Sequence, residues 1–382
     1  MRVHLVDPSA YTPPYDHALS AALARAGADV ELITSRFPYG PVPGHAGYRV
    51  TEHFYRLAPG GARPRSRLRQ TAKLAQHVPD MLRYRARAKD ADVVHFQWLS
   101  VQPLDVHLLP SGRPLVLTAH DVLPREARPG QRAAQRRLYE RVDAVVVHSD
   151  HGRDRLVKEL AVDPGRVHVI PHGAFTYLRE QRGTVPLAPQ LAQVEGPIVL
   201  CFGLMRPYKG IDVLIDAWRE VSGAELWVVG MPRMDIAPLR RAAPPSVRWV
   251  PRFVTDPEIP AFFDCADLVV LPYREIDQSG VLFTALAFGK PLLLSDVGGF
   301  PEIAAAGAAR LVSPGDAGAL AGALSELLSD ADSRARMAAA SAAAAAGPYG
   351  WDSIAGRTLE LYRSVIGTGA SPPVPAAGGL PR

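Results

Sequence analysis

Short, largely apolar segments recur along this chain and alternate with longer segments of helical pattern. They read as strands buried on both faces, which is typical of parallel sheets covered by helices. The predicted strands are Val3–Val6, Asp29–Ile33, Asp92–Phe96, Leu115–Thr118, Ala144–His148 and Val167–Ile170 in the first half, and Ile198–Phe202, Leu226–Val229, Val247–Val250 and Leu268–Pro272 in the second. A length of 382 residues favours two domains. The sequence therefore predicts an α/β protein with two doubly wound parallel-sheet domains.

Proline and glycine mark the predicted domain boundaries. Residues 1–175 form the first domain, and residues 176–197, which hold several Pro and Gly, form a linker. Residues 198–349 form the second domain, and a helix follows over 350–366. The tail 367–382 is rich in Pro, Gly and Ala and is predicted to be disordered. Residues 36–61 show no clean period and predict one long ordered loop.

The stretch Ile198–Asp216 predicts a ligand crevice in the second domain. Gly203 follows the buried strand and allows a sharp turn where a side chain would obstruct a ligand. Arg206 and Lys209 then lie on a short loop before a helix. The carboxyl ends of parallel strands form ligand crevices, so two cations placed there suit a phosphate. The alternative is a basic loop that simply faces water.

A second element points to the same crevice. Residues 280–288 are apolar or Gly apart from Thr284, between Ser279 as a predicted N-cap and Gly289 as a predicted stop. A helix that is apolar all round is buried, and its first N–H groups need partners. An anionic ligand at Ser279–Val281 would satisfy those donors. Alternatively, the side chain of Ser279 caps the helix by itself.

These motifs are similar to the donor site of a known enzyme family. Phe202-Gly203, Arg206, Lys209-Gly210, Ser279-Gly280, Gly289-Lys290-Pro291 and Asp296–Glu302 resemble, in order and spacing, retaining glycosyltransferases of the GT-B fold, family 4. The resemblance implies two Rossmann-like domains facing a central cleft, and a final helix that crosses back to the first domain. It also implies transfer of a sugar from a nucleotide-diphosphate sugar, with retention and without metal or other cofactor.

The resemblance assigns residues to the donor. Arg206 and Lys209 would stabilise the departing diphosphate, and backbone groups of Arg252 and Phe253 would hold the nucleobase. The donor-binding residues are expected to be Gly203, Arg252, Phe253, Asp277, Gln278, Ser279, Gly280, Val281 and Thr284. One departure concerns the acidic pair of the family, which maps onto Ile276 and Thr284. The second Glu of that pair accepts ribose hydroxyls, so either Thr284 bonds them weakly or Glu275 or Asp277 replaces it.

In the first domain, the resemblance places His120 beside the donor sugar as a catalytic residue. The loop Asp7–Pro14 contains no glycine, which argues against a dinucleotide-binding site. Acceptor-side candidates near the carboxyl ends of the strands are Tyr11, Tyr15, Asp16 and Asp121. Asp90 and Asp92 match a divalent-metal signature, but they precede a strand instead of following one. The closely spaced histidines lie on either side of strand ends and not on one helix face. No metal site is therefore expected.

Charge is uneven along the chain. Residues 1–175 hold 25 Lys and Arg against 17 Asp and Glu, whereas the remainder holds 18 against 21. Residues 64–89 interleave Arg and Lys with Leu, Val and Met in a helical pattern. This segment predicts a peripheral contact with an anionic membrane, with a solvated basic face as the alternative. The acceptor stays open between a lipid-linked, a glycan and a small molecule, and no nucleic-acid partner is expected.

The first residues are interpreted as a strand and not as a signal peptide. Together with two cysteines and no long apolar run, this predicts a cytoplasmic protein, and the basic segment extends the prediction to attachment at the inner face of the membrane. Two other functions stay open. One is a pseudoenzyme that binds the nucleotide sugar but has lost catalysis together with the acidic pair. The other is a sugar-nucleotide epimerase of the same fold, which would need acid and base carboxylates around the sugar.

Overall fold

The computed structural model describes residues 1–37, 42, 44, 46–57, 67–99, 101–123, 130–181, 183, 185–188, 191, 194 and 196–368. In its first half, seven parallel strands form one sheet in the order β3-β2-β1-β4-β5-β6-β7. The strands are β1 Arg2–Asp7, β2 Asp29–Ser35, β3 Arg49–Phe54, β4 Val93–Phe96, β5 Leu115–Thr118, β6 Ala144–Val147 and β7 Val167–Val169. The helices are α1 Pro13–Arg25, α2 Arg67–Arg87, α3 Gln102–Leu108, α4 Gln131–Arg141 and α5 Asp150–Leu160.

The second half forms a six-stranded parallel sheet in the order β10-β9-β8-β11-β12-β13. Its strands are β8 Ile198–Phe202, β9 Glu225–Val229, β10 Val247–Val250, β11 Leu268–Leu271, β12 Leu292–Ser295 and β13 Ala309–Val312. Its helices are α6 Ile211–Trp218, α7 Ala237–Ala242, α8 Ile259–Cys265, α9 Gly280–Ala287, α10 Phe300–Ala305, α11 Ala317–Ser329 and α12 Ala331–Ala346. A last helix, α13, spans Trp351–Thr368. The predicted fold class is thereby confirmed, since both sheets are parallel.

The strand order fixes where a ligand can bind in the second domain. β8 lies centrally and pairs with β9 on one side and β11 on the other. The chain therefore leaves β8 and β11 in opposite directions, and such a switch point opens a crevice beyond the carboxyl ends of the two strands. The buried pattern of β8 and β11 makes both strands rigid supports for the loops that follow them.

Helix α13 belongs to the core of the first domain. Its Ile354 and Tyr362 are fully buried with Leu5 and Leu19 in one hydrophobic cluster. Trp351, at the start of α13, donates a hydrogen bond from Nε1 to the carbonyl of Ala174 at 2.7 Å. The chain thus returns from the second domain to the first and ties the two together.

One local prediction was wrong. Residues 36–61 do not form one loop, because β3 pairs in parallel with β2 at the edge of the first sheet. Its sequence RVTEHF is polar at several positions because an edge strand is only half buried, so the apolar signal was weak. Ahead of α8, residues Asp256–Glu258 form a 3₁₀ turn that runs into the helix.

Some predictions concern residues outside the described part of the chain. These are the disordered tail from residue 369 onward, residues 64–66 of the basic segment and parts of the predicted linker. Within the linker, Thr176–Gln181 forms a 3₁₀ turn that the prediction did not include. Among the described residues, no helix combines the length and the apolar character needed to cross a bilayer.

Candidate functional site

The ammonium group of Lys209 is held at the switch point of the second sheet. Lys209 ends a 3₁₀ turn, Pro207–Lys209, and is only 7% exposed. Its Nζ donates a hydrogen bond of 2.8 Å to the hydroxyl of Tyr273, which follows β11 closely. A cation from the β8 loop is therefore fixed to the loop of the neighbouring strand, where it cannot swing freely into water.

Gly203 marks the point where the predicted elements converge. A Cβ atom added to Gly203 would lie 2.9 Å from Nζ of Lys209 and 2.9 Å from Cγ2 of Val281 in the first turn of α9. The φ of Gly203 is +106°, a conformation that L side chains rarely adopt. The loop after β8 and the start of α9, which are about eighty residues apart in sequence, therefore meet around one glycine.

The first turn of α9 is not closed by its own N-cap side chain. Ser279 occupies the N-cap position, but its side chain makes no capping hydrogen bond, and its Oγ lies 3.4 Å from the Tyr273 hydroxyl. The alternative, in which the side chain of Ser279 accepts the free N–H groups of the first turn, is therefore wrong. The N–H groups of Gly280 and Val281 carry the positive end of the helix dipole toward Lys209.

A cavity of about 360 Å³ opens between these groups and the linker. It is lined by Pro14, Phe175, Tyr177, Leu178, Gly203, Leu204, Tyr208, Lys209, Asp256, Ile259, Tyr273, Ile276, Gln278, Ser279, Gly280, Val281 and Thr284. Thr284 is buried, and its Oγ1 donates to the carbonyl of Gly280 at 3.0 Å. The hydroxyl that stands where the family has a Glu is thus already used inside the helix.

Four predicted donor residues, Arg206, Arg252, Phe253 and Asp277, lie outside this cavity lining. Arg206 is half-buried just before the 3₁₀ turn, and its side chain makes no hydrogen bond or ion pair with a described residue, whereas its carbonyl accepts the N–H of Lys209 at 3.0 Å. Arg252 and Phe253 are exposed, and Arg252 forms an ion pair with Glu258 at 2.6 Å. Arg252 lines a neighbouring cavity of about 340 Å³. The structure therefore brings Lys209 and the start of α9 together, with Arg206 and Arg252 at the periphery.

Asp277 and Gln278 join the donor loop to the first domain. Oδ1 of Asp277 forms an ion pair of 2.7 Å with Arg155 on α5, and Oδ2 accepts the backbone N–H of Val122 at 3.0 Å. Nε2 of Gln278 donates to the carbonyl of His148 at 3.3 Å. Both carboxylate oxygens of Asp277 are thus engaged, so Asp277 does not supply the carboxylate missing at position 284.

His120 belongs to a chain of partly buried hydrogen bonds in the first domain. His148 Nδ1 lies 3.0 Å from the carbonyl of Ile170, which can only accept, so neutral His148 carries its proton on Nδ1. His148 Nε2 must then accept from His120 Nδ1 at 3.1 Å, which leaves His120 Nε2 as an acceptor facing the side-chain amide of Gln97 at 3.2 Å. We therefore assign the amide nitrogen of Gln97 to this contact.

Burial keeps these imidazoles neutral. It lowers the pKa of His148 to about 4 and that of His120 well below the ordinary value of 6.5, where repulsion from a charged His148 adds to the effect. The ring of His120 also stacks on Trp98 with centroids 5.0 Å apart. Since both its ring nitrogens have protein partners, the role of His120 beside a donor sugar stays a prediction.

The acceptor-side candidates differ in accessibility. Tyr15 is buried, with its ring edge-on to His120 at 4.8 Å. Asp16 is also buried, and burial together with the neighbouring carboxyl of Asp7 raises its pKa well above its usual value. Tyr11 is 65% exposed beside Trp98, and Asp121 is exposed just after β5. Only Tyr11 and Asp121 of these four offer a surface to an acceptor.

Tyr273 and Asp256 are among the residues of the cavity that sequence reasoning missed. Tyr273 comes almost directly after β11, and a polar group at the end of a buried strand was a usable signal. Asp256 lies in a segment of ordinary polarity, so no signal in the sequence singled it out. Among the described residues, no group of three or more His, Cys, Asp or Glu side chains is placed to hold a metal ion.

The GT-B class of fold has two domains built on parallel sheets, with a cavity at the switch point of the second sheet, as this chain does. A protein from Anabaena, solved in complex with UDP-glucose, has the same fold with a TM-score of 0.71 and 19% identity, covering 95% of this chain and 100% of that one. The family described as "Glycosyl transferases group 1" matches residues 196–330, and "Glycosyltransferase Family 4" matches residues 15–176. The chain belongs to glycosyltransferase family 4.

Curated relatives are similar at a lower level. A GDP-mannose:glycolipid 4-beta-D-mannosyltransferase from Xanthomonas campestris is 28% identical over 48% of this chain and 50% of its own length. The chain thus spans about half the length of that relative. A D-inositol 3-phosphate glycosyltransferase from Paenarthrobacter aurescens is 28% identical over 92% of both chains. The two relatives are named for different acceptors, and only the first is named for its donor, so family membership fixes neither for this chain.

Proposed function

We propose that this protein transfers a sugar from a nucleotide-diphosphate sugar to an acceptor. The observation that carries the proposal is the convergence of the Lys209 ammonium and the first turn of α9 at Gly203. Two sources of positive charge there face a cavity of about 360 Å³. A site of this kind suits a diphosphate, and the family as well as the UDP-glucose complex of the Anabaena protein supports a nucleotide-sugar donor.

The proposed chemistry is stabilisation of a leaving group. Breaking the bond between the anomeric carbon and the diphosphate leaves negative charge on the phosphate and positive charge on the sugar ring. Lys209, which is held in place by Tyr273, and the N–H groups of Gly280 and Val281 are preorganised for that anion. Arg206 is half-buried near the same loop and is available to the outer phosphate oxygens.

Retention and independence from metal are part of this proposal. Lys209 and the helix dipole supply positive charge that a metal ion supplies in other transferases. The Xanthomonas relative is named for a β-linkage, so the stereochemistry of the product is the sharper question. NMR analysis of the anomeric configuration of the product against that of the donor decides it, and a product with inverted configuration would refute retention.

The decisive experiment is the Lys209→Met substitution, assayed by turnover of a nucleotide-sugar panel with and without a chelator. Loss of one charged donor to the leaving group should lower turnover at least about tenfold. Lys158→Met is the matched control, since Lys158 forms an ion pair with Asp154 on the exposed face of α5. Thermal unfolding of both variants separates loss of charge from loss of fold.

The outcomes discriminate between functions. Turnover that is unchanged in Lys209→Met would refute the role of this cation in sugar transfer. Nucleotide binding to the wild-type protein without turnover of any donor and acceptor pair would favour the pseudoenzyme alternative.

The acceptor is proposed to be presented at a membrane surface beside helix α2. Leu74, Val78 and Leu82 recur every four residues and are 55%, 36% and 49% exposed, whereas Met81 and Tyr84 of the same helix are buried. Exposed cations, including Arg83, Arg85 and Lys89, lie on the same segment. Apolar and basic side chains together suit the interface of an anionic bilayer.

A further inference from the structure

The nucleoside end of the donor cavity lacks the carboxylate that the family resemblance leads one to expect. Thr284 stands at that position, and its hydroxyl is bonded to the carbonyl of Gly280. Asp277 has both oxygens engaged across the domain interface, and Glu275 is exposed outside the cavity lining. The three residues weighed from the sequence therefore leave the ribose hydroxyls of a donor without a charged acceptor.

Asp256 supplies a carboxylate from another element. Of the residues that line the cavity in the described part of the chain, Asp256 alone carries a carboxylate. Its Oδ2 accepts a hydrogen bond of 2.7 Å from the hydroxyl of Tyr177, which lines the same cavity. Tyr177 comes from the 3₁₀ turn that follows the first domain, so the linker orients a side chain of the second domain.

The other oxygen of Asp256 is available. Oδ1 forms no hydrogen bond or ion pair with any residue in the described ranges, and it is not a fully enclosed atom. The nearby cation Arg252 is paired with Glu258 instead. Burial raises the pKa of Asp256 because desolvation penalises its charge, although the Tyr177 hydroxyl partly offsets this. A partly buried carboxylate with one open oxygen gains from a ligand that donates hydrogen bonds.

We propose that Asp256, oriented by Tyr177, accepts hydrogen bonds from the ribose hydroxyls of the nucleotide donor. This rests on the proposed function and identifies a binding residue that the family motif does not contain. Ribose presents two neighbouring hydroxyl donors, and a carboxylate is an acceptor-only group when ionised. The site therefore selects ribonucleotides over deoxynucleotides through a residue on the turn before α8.

Calorimetric titration of three proteins with UDP, GDP and ADP, and with their 2′,3′-dideoxy counterparts, tests this. Asp256→Asn keeps the shape and the contact with Tyr177 but removes the charge, so ribonucleotides should bind about tenfold more weakly. The wild-type protein should bind the dideoxy ligands more weakly than the ribonucleotides by a similar factor. Asp256→Asn should bind ribo and dideoxy ligands within about twofold of each other. Asp264→Asn, an exposed position on α8, is the matched control.

A second variant, Tyr177→Phe, removes only the orienting hydroxyl and should weaken ribonucleotide binding about threefold. Equal affinity of wild type and Asp256→Asn for ribonucleotides would overturn the inference and leave the proposed function standing. So would an Asp256→Asn loss that persists in full with dideoxy ligands, because Asp256 would then contact another part of the nucleotide. Failure of the wild type to bind any of these nucleotides would overturn the proposed function as well.

Discussion

The substitution Gly203→Ala is the most direct probe of the convergence at the cavity. The added Cβ would lie 2.9 Å from both Lys209 Nζ and Val281 Cγ2, well inside the contact distance of about 3.5 to 4 Å. Val281 is on a helix whose neighbours are fully buried, so the flexible end of Lys209 must move instead. Moving Lys209 breaks its hydrogen bond with Tyr273.

The expected cost has two parts. Alanine at a φ of +106° costs on the order of 1–3 kcal/mol in backbone strain. Loss of a hydrogen bond from a charged donor adds about 1.5–3 kcal/mol. The free energy of unfolding of the second domain should therefore fall by roughly 2.5–6 kcal/mol. Since Lys209 is displaced, affinity for a nucleoside diphosphate should fall at least about tenfold.

The matched control is Gly223→Ala. Gly223 also has a positive φ, +72°, but an added Cβ meets nothing within 4 Å. This variant shares the backbone strain without the clash, so it should cost about 1–3 kcal/mol and leave nucleotide affinity unchanged. Urea unfolding followed by fluorescence reports on this domain, because Trp218 and Trp227 are fully buried there. Equal losses of stability and equal affinities for the two variants would refute the convergence at Gly203.

Two further predictions concern the first domain. Burial lowers the pKa of His148 from 6.5 to about 4 in the folded protein. Between these two pH values the unfolded chain binds more protons than the folded protein does. The free energy of unfolding should therefore fall by about 3 kcal/mol as the pH decreases from 6.5 to 4. Chemical denaturation at pH 7 and near pH 4 measures this loss, which should be smaller in His148→Gln than in the wild type. His151→Gln changes an exposed side chain and should retain the full loss. An identical pH dependence of stability in the wild type and both variants would contradict the prediction. On helix α2, the double substitution Leu74→Ser and Leu82→Ser should reduce cosedimentation with anionic vesicles at low salt, whereas Arg240→Glu on α7 should not. Vesicle binding by neither the wild type nor the variants would remove the membrane contact.

Much of the donor site could be predicted because its parts are local. Gly203, Lys209 and the start of α9 each have a signature of a few residues, namely a glycine after a buried strand, a cation on a short turn and a small-residue helix start. The parallel arrangement of strands then places such signatures at one edge of a sheet. The strand β3 was missed because an edge strand lacks the continuous apolar run of a buried one.

Pairing of polar side chains across the domains could not be predicted. The sequence around Asp277 predicts a residue that binds the nucleotide-sugar donor. In the structure, its carboxylate is bound instead by the side chain of Arg155 and the backbone N–H of Val122 in the first domain. The sequence around Asp256 predicts no functional role, yet Tyr177 of the linker binds its carboxylate at the cavity. Both assignments depend on contacts between residues about 80 to 160 positions apart in the chain.

The sequence by itself determined the two parallel sheets and the positive charge at the start of α9, because hydrophobic periodicity and turn chemistry act within a few residues. The tertiary structure alone decided which carboxylates are bound and which are open. A carboxylate is an acceptor for any donor within about 3 Å, so its role depends on what the fold places beside it and not on its neighbours in sequence.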